Sequence, residues 1–292
     1  MITLWFRVIR VRFLFASIVA VINGLAISFW KNASFDVTYA LLTCGGVICL
    51  HASVDLLNDY WDYRRGIDKV TKRTKFSGGT GVLPEKLLKP KTVYCAGILF
   101  LLLGSLIGIY FVTIRGITIA IILVFAILSI YFYSIKIVNV GLGELFVAIK
   151  SCMIVVGTFY VQTGLIDMAS FYVGIIIGNL SASVLFINSF PDYDADRDNG
   201  RRTLVIILGK KRGGTVLLLL VSLNYIMIAT GVLLGYTKLY SLVSFVSIPF
   251  AARAIRYLDK NNEKFENLVP VMTTTLLYSR ITGILLAIGL LL

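Results

Sequence analysis

The sequence predicts an all-α integral membrane protein with nine transmembrane helices. Three observations lead there. The 292 residues are 58% hydrophobic, with a mean hydropathy of +0.88, far above a soluble domain. Apolar runs of about 20 residues, enough to cross a hydrocarbon core of roughly 30 Å, recur along the whole chain. The runs lack the short alternating pattern of barrel strands, so helices must satisfy the backbone in lipid.

The first span covers 13–30. Arg7, Arg10 and Arg12 precede it as in a secretory signal, but no convincing cleavage site follows and further spans do, so it reads as a retained helix. The second span, 37–57, runs into DLLNDYWDYRRGID (Asp55 to Asp68). A long connection containing SGGTG (Ser77 to Gly81) leads to spans at 92–112 and 115–135. The fifth, 142–163, carries Lys150, and the sixth, 168–190, runs into PDYDADRDNGRR (Pro191 to Arg202). Spans at 214–235, 238–257 and 268–290 complete the nine, the last holding Arg280. Only connecting loops remain, so residues 1–292 read as one polytopic domain. Cys44, Cys49, Cys95 and Cys152 fall in or near spans without a CxxC pair, and read as small apolar residues rather than disulfides or metal ligands.

A formal net charge of +13 would suit a nucleic-acid partner, but its distribution argues against one. With nine spans, 23 Lys and Arg share the side of the N-terminus, against three (Lys31, Arg115, Lys238) on the other. The positive-inside rule therefore places the N-terminus and both acidic stretches in the cytoplasm.

Those two stretches hold eight of the 15 acidic residues. Residues at i, i+3, i+4 and i+7 share a helix face. Asp55, Asn58, Asp59 and Asp62 have that spacing, and Asn188, Asp192 and Asp196 repeat it, with Pro191 either kinking the helix or opening a fresh turn. Like charges on one face repel, and a divalent cation compensates them. The ligand set is oxygen-only, with His51 more than a turn before Asn58, which favours Mg²⁺ or Mn²⁺ over zinc. Mg²⁺ takes one or two carboxylates and completes its shell with water and substrate phosphate. Two acidic helix ends thus suit a metal-bound diphosphate, its charge met by Lys69, Lys72, Arg73, Arg197, Arg201 and Arg202. The plain alternative is a solvated loop anchoring helix ends; two clusters with ligand spacing on one membrane face weigh against it.

At these residues the sequence resembles the UbiA superfamily of intramembrane prenyltransferases. NDYWD (Asn58 to Asp62) matches that family's Asn-Asp-x-x-Asp motif after helix two, and DYDAD (Asp192 to Asp196) its Asp-x-x-x-Asp motif after helix six. NDYWDYRRGID, GLGELFVAIKSCMIVVGTFYVQTG (Gly141 to Gly164) and DRDNGRRTLVIILG (Asp196 to Gly209) are most similar to the 1,4-dihydroxy-2-naphthoate prenyltransferases of menaquinone synthesis. Asp68, six residues after Asp62, has that subgroup's longer spacing; Asp55 stands where many members have Asn, and Pro191 where naphthoate enzymes often have Arg.

The resemblance implies nine helices around a central cavity and Mg²⁺-dependent transfer from an allylic isoprenyl diphosphate to an aromatic acceptor. In the naphthoate subgroup the acceptor also loses CO₂. It implies metal ligands at Asn58, Asp59, Asp62, Asp192 and Asp196, and catalytic roles for Asp62, Asp192, Asp196 and Asp68. Asp68 is either the base for an acceptor hydroxyl or part of the metal shell. Substrate contacts fall to Arg12 (or Arg10), Lys69, Arg73, Lys136, Lys150, Arg197 and Arg201. Lys150 is expected to face the cavity because intramembrane charge usually does. SGGTG reads as a lid or turn able to present amides, His51 as a packing residue or a support for the residues that touch the metal, and Tyr131, Tyr133 and Tyr160 as aromatic neighbours of the cation. Acceptors open at this point include 4-hydroxybenzoate, homogentisate, a glycerol ether phosphate and a haem or chlorophyll precursor. A transporter would carry its binding residues near the bilayer midplane, and a scaffold would leave the paired motifs unexplained.

The charge distribution makes a direct prediction. Cysteines introduced at Lys75 and Lys210 should label from the cytoplasmic face, and one at Lys238 from the opposite face. Labelling of Lys75 and Lys210 on different sides would refute the nine-span topology.

Overall fold

The computed structural model describes residues 2–31, 35–67, 73–74, 76–133, 141–261 and 268–292. Among the described residues the regular elements are all helical, with no strand. Among the described residues, eight helices are long and apolar enough to cross a membrane. The expected fourth span appears as a shorter apolar helix, Ile117–Tyr133, of 17 residues, and the residues that would extend it lie outside the described ones.

A short helix α1 (Ile2–Val8) is followed by α2 (Val11–Trp30), the two separated where Arg10 takes a left-handed φ of 52°. Helix α3 (Val37–Arg65) starts at Asp36, whose side chain accepts from the Tyr39 amide at 3.0 Å, and stops at Gly66, φ 82°. This is an ordinary polar N-cap and glycine C-cap pair. Helix α3 therefore extends past the predicted span end at 57 and carries the first acidic cluster on its last three turns. Helices α4 (Pro90–Arg115) and α5 (Ile117–Tyr133) are joined by Gly116 alone, so Arg115, expected to open a span, closes one. Next come α6 (Gly143–Thr163) and α7 (Met168–Asn188).

At Pro191 the chain starts afresh. Helix α7 ends at Asn188, and a six-residue helix α8 (Tyr193–Asp198) follows with Asp192 at its N-cap position. A short α9 (Leu204–Leu208) and a 3-10 turn Lys210–Arg212 precede α10 (Gly213–Leu233). The eighth span is composite: a 3-10 helix, Leu239–Ser247, leads into α11 (Ile248–Asn261). Helix α12 (Leu268–Leu291) closes the chain.

Within lipid, helices gain little by hiding apolar surface from one another, so close approach and hydrogen bonds hold them. On α7, Gly174-Ile-Ile-Ile-Gly178 sets two glycines four residues apart against Cys152 and Ala148 of α6. A Cβ on Gly174 would lie 2.8 Å from the Cys152 sulfur, and one on Gly178 would overlap the Ala148 carbonyl oxygen. The four cysteines are free thiols, with Cys152 buried and Cys95 exposed.

Gly178→Val should push α7 from α6 and lower stability by about 1–3 kcal/mol, the usual penalty of overpacking. Gly45→Ala is the control: its added methyl meets nothing within 4 Å, and the helix gains up to about 1 kcal/mol. Thermal unfolding in detergent should separate the two; a Gly178→Val protein as stable as the wild type would refute this packing.

Candidate active site

A cavity of about 420 Å³ opens among α2, α3, α4, α5, α6, α7 and α12. Its wall follows α3 from Thr43 to Asp62, about 28 Å of helix at 1.5 Å per residue. Most of the wall is apolar, and the carboxylates gather at one end. Asp55, Asn58 and Asp62 face the cavity from α3, and Asp192 and Asp196 from the segment after α7. The helical spacing read from the sequence thus brings the two clusters to one mouth.

Arg201 joins them. Gly200, with φ 76°, turns the chain so that the Arg201 amide donates to the Asp196 carbonyl at 2.9 Å. The Arg201 guanidinium then donates to Asp62 and, at 3.2 Å, to the Asp196 carboxylate. Asn58 donates to Asp62 at 3.1 Å. Two buried oxygens, Asp55 Oδ2 and Asp192 Oδ1, have no hydrogen-bond partner. These orphaned oxygens, with Asn58, Asp62 and Asp196 beside them, fit a hard cation that prefers oxygen. Mg²⁺ needs few protein ligands and completes its shell with water and phosphate.

Asp59 departs from expectation. It has no solvent exposure and does not line the cavity. Its carboxylate accepts from the Thr80 amide (3.1 Å), the Thr80 hydroxyl (2.7 Å) and Arg10 (3.3 Å). One residue from Asn58 on a helix points about 100° away, so the face that presents Asn58 and Asp62 turns Asp59 to the loop. The SGGTG segment is correspondingly more than a loose turn. Gly78 donates its amide to Asp192 at 3.2 Å, so the segment is pinned to both acidic clusters. Gly78 and Gly79 have φ of 82° and 71°, which glycine adopts without strain. Glycines flanking a hydroxyl residue were the available signal, too weak to separate a clasp from a turn.

Other expected residues divide. Arg12 and Lys150 line the cavity, as do Arg10 and Arg280; Arg280 donates to the Arg12 carbonyl at 2.6 Å. Arg197 does not reach it: it is exposed and paired with Asp194 (3.7 Å) and Asp198 (3.4 Å), because it falls on the outer face of α8. Arg73 pairs with Glu85, which also binds Arg7 at 2.9 Å, outside the cavity wall. Of the two roles open to His51, its contacts favour support of the site: Ser17 Oγ lies 2.6 Å from its Nδ1, and its Nε2 is 3.7 Å from Asp55. Tyr131 is exposed and Tyr160 bonds the Arg115 carbonyl at 3.3 Å, so the aromatic wall comes instead from residues such as Phe111, Phe125 and Phe146. Asp68, Lys69, Lys72 and Lys136, and the side chain of Tyr133, lie outside the described residues.

Helix α5 is a thin wall. Ile119, Leu123 and Ile130 look into the cavity, while Ile117, Ile121, Val124 and Leu128 are exposed on the opposite face.

Against this geometry, the model of the UbiA prenyltransferase family matches residues 17–277. The chain belongs to that family. It is a membrane prenyltransferase. Similar proteins include the 1,4-dihydroxy-2-naphthoate octaprenyltransferase of Bacillus subtilis (strain 168), 28% identical over 99% of this chain and 92% of that one. The Escherichia coli (strain K12) protein of the same name is 26% identical, over 98% and 94%. The 2-carboxy-1,4-naphthoquinone phytyltransferase of Synechocystis sp. is 24% identical, over 98% and 92%. Among solved structures, a UbiA homolog from Aeropyrum pernix K1 superposes with a TM-score of 0.70 at 15% identity, covering 94% and 96% of the two chains. A UbiA homolog from Archaeoglobus fulgidus bound to DMAPP and Mg²⁺ gives 0.65 at 14%, covering 97% and 99%.

Burial raises the Asp192 carboxyl to about 7, aided by the Asp196 charge and opposed by the Gly78 amide, Arg201 and Arg10. Burial likewise lifts Asp196 to about 6 against the pull of Arg201. A carboxyl raised in the folded state favours folding at low pH, and that contribution is lost as pH rises through the folded values, here about 6 to 7. Without divalent cation, the protein should therefore melt at lower temperature at about pH 8 than at about pH 5. Asp192→Asn should flatten that slope, and an unchanged slope would exclude Asp192 as its source.

Proposed function

We propose that this prenyltransferase transfers an isoprenyl chain from an allylic diphosphate to 1,4-dihydroxy-2-naphthoate, with loss of CO₂, in menaquinone synthesis. We further propose that the whole chain, 1–292, acts as one catalytic unit with its N-terminus and site at the cytoplasmic face, as the distribution of Lys and Arg suggests. The observation that carries the reading is the paired acidic mouth of a long apolar cavity: carboxylates and arginines for a diphosphate, hydrocarbon walls for its tail. Support for the acceptor comes from relatives named for it in several bacteria.

Asn58, Asp62, Asp192 and Asp196 would hold Mg²⁺, which when bound withdraws charge from the diphosphate as the allylic C–O bond breaks. Arg10, Arg12 and Arg201 supply guanidinium forks for phosphate oxygens. Asp59 is assigned a positioning role: it fixes Arg10 and the Ser77–Gly81 segment over the mouth. Lys150, half-buried in the wall, lies within Coulombic reach of Asp55 and completes the charge balance. The apolar walls keep water from the allylic cation, and the phenyl faces of Phe125 and Phe146 stabilise its charge.

Asp62→Ala and Asp192→Ala should each lower Mg²⁺-dependent diphosphate release by at least ~10²-fold, the scale of removing one electrostatic contributor. Both should still fold in detergent, and normal turnover in either would sink the site. In a competition of acceptors, 1,4-dihydroxy-2-naphthoate should be prenylated with CO₂ release at a far higher kcat/KM than 4-hydroxybenzoate. The reverse order would reject the acceptor while leaving the prenyltransferase intact.

A further inference from the structure

One carboxylate in the cavity wall stands apart from both acidic clusters. Glu144 lies in the first turn of α6 and is only 7% exposed, yet it lines the cavity. Its Oε1 is buried and has no hydrogen-bond partner. The backbone amides of Glu144 itself and of Leu204 lie near the carboxylate. Thr203, the neighbour of Leu204, also lines the cavity with a buried, unpartnered hydroxyl. Arg201, which bridges Asp62 and Asp196, is three residues from Leu204, at most about 11 Å along the chain at 3.8 Å per Cα step.

A buried carboxylate oxygen without a donor is costly, and a ligand that brings a donor removes the penalty. The two substrates differ sharply in this respect. An ionised allylic diphosphate offers only acceptor oxygens and a hydrocarbon tail, whereas a phenolic acceptor offers O–H groups. We propose that Glu144 is a catalytic residue: its Oε1 accepts the hydrogen bond of an acceptor hydroxyl and takes that proton as the ring is alkylated. The inference rests on the reading of a hydroxylated aromatic acceptor given above.

The step balances. The donor's C1–O bond breaks and its electron pair leaves on diphosphate. The ring carbon bonds C1 with π electrons released as the hydroxyl becomes a carbonyl, and its proton moves to Glu144. Loss of the ring carboxylate as CO₂ returns the electron pair to the ring, and Glu144 gives the proton back to the oxygen.

Glu144→Gln keeps the shape and removes the base. Its kcat should fall by about 10²–10⁴-fold, the usual range for general acid–base catalysis, with KM for the allylic diphosphate unchanged. Glu144→Asp should retain more activity than Glu144→Gln. A fluorinated acceptor with a more acidic hydroxyl needs the base less, so the gap between wild type and Glu144→Gln should narrow by about tenfold or more. A gap of equal size for both acceptors, equal impairment of the Gln and Asp variants, or a donor KM that rises in step would overturn the proposal. Should the variants fail to fold, single-turnover rates of the wild type in D₂O decide: a slower rate supports proton transfer in the alkylation, and an equal rate refutes it. All measurements are made with whichever of 1,4-dihydroxy-2-naphthoate and 4-hydroxybenzoate the wild type prefers. Both carry a hydroxyl, so a wrong acceptor assignment and a wrong role for Glu144 give different results.

Discussion

Asp59 is cut off from solvent, and a carboxylate so placed needs donors that water would otherwise supply. Thr80 and Arg10 provide them, one from the loop after α3 and the other from the break before α2. Removing one partner of a buried pair typically costs about 3–5 kcal/mol, so this single group ties three separate segments over the cavity mouth. Asp192 extends the tie by accepting from Gly78, and Arg7 adds a 2.7 Å bond to the Thr80 carbonyl. The geometry of the acidic mouth thus follows from satisfying carboxylates that the fold buries, before any substrate is considered.

The frame beneath that mouth is held by different means. The two glycines of α7 let its backbone touch α6, which fixes the helix that carries Glu144 and Lys150 against the one that leads to Asp192. In the second half, polar side chains link helices: Asn224 donates to Tyr278 at 2.8 Å, and Ser247 meets both Tyr225 and Thr282 at 2.7 Å. Hydrogen bonds of this kind suit lipid, where burial of apolar surface supplies little net attraction between helices. Close backbone approach holds α6 and α7 together beside the site, and polar links hold the helices away from it.

Much of this was legible in the chain. Span positions followed from hydropathy because lipid leaves helices as the simplest solution, and the acidic faces followed from helical periodicity. Periodicity also misled, since Asp59 shares the motif but sits about 100° around the helix from Asn58, and only the fold of the loop shows what it meets. Arg197 and Arg201 look equivalent in the sequence; the turn at Gly200 makes one structural and leaves the other solvated. Glu144 was visible inside GLGELF, yet an isolated acidic residue at a helix start reads as an ordinary cap favoured by the helix dipole. Its unpaired oxygen is a property of the packing around it.

The thinness of the α5 wall bears on how such an enzyme is measured. One helix separates the cavity from the acyl chains, with isoleucine, leucine and valine on its outer face. An isoprenyl donor and its product, both hydrocarbon-tailed, therefore partition between the cavity and the bilayer beside it. Encounter is then two-dimensional, and saturation depends on the mole fraction of donor among the lipids, not on its molarity in the tube. Surface dilution with inert lipid slows turnover at constant bulk concentration, and a Michaelis constant quoted without the lipid or detergent ratio has no fixed meaning for this protein.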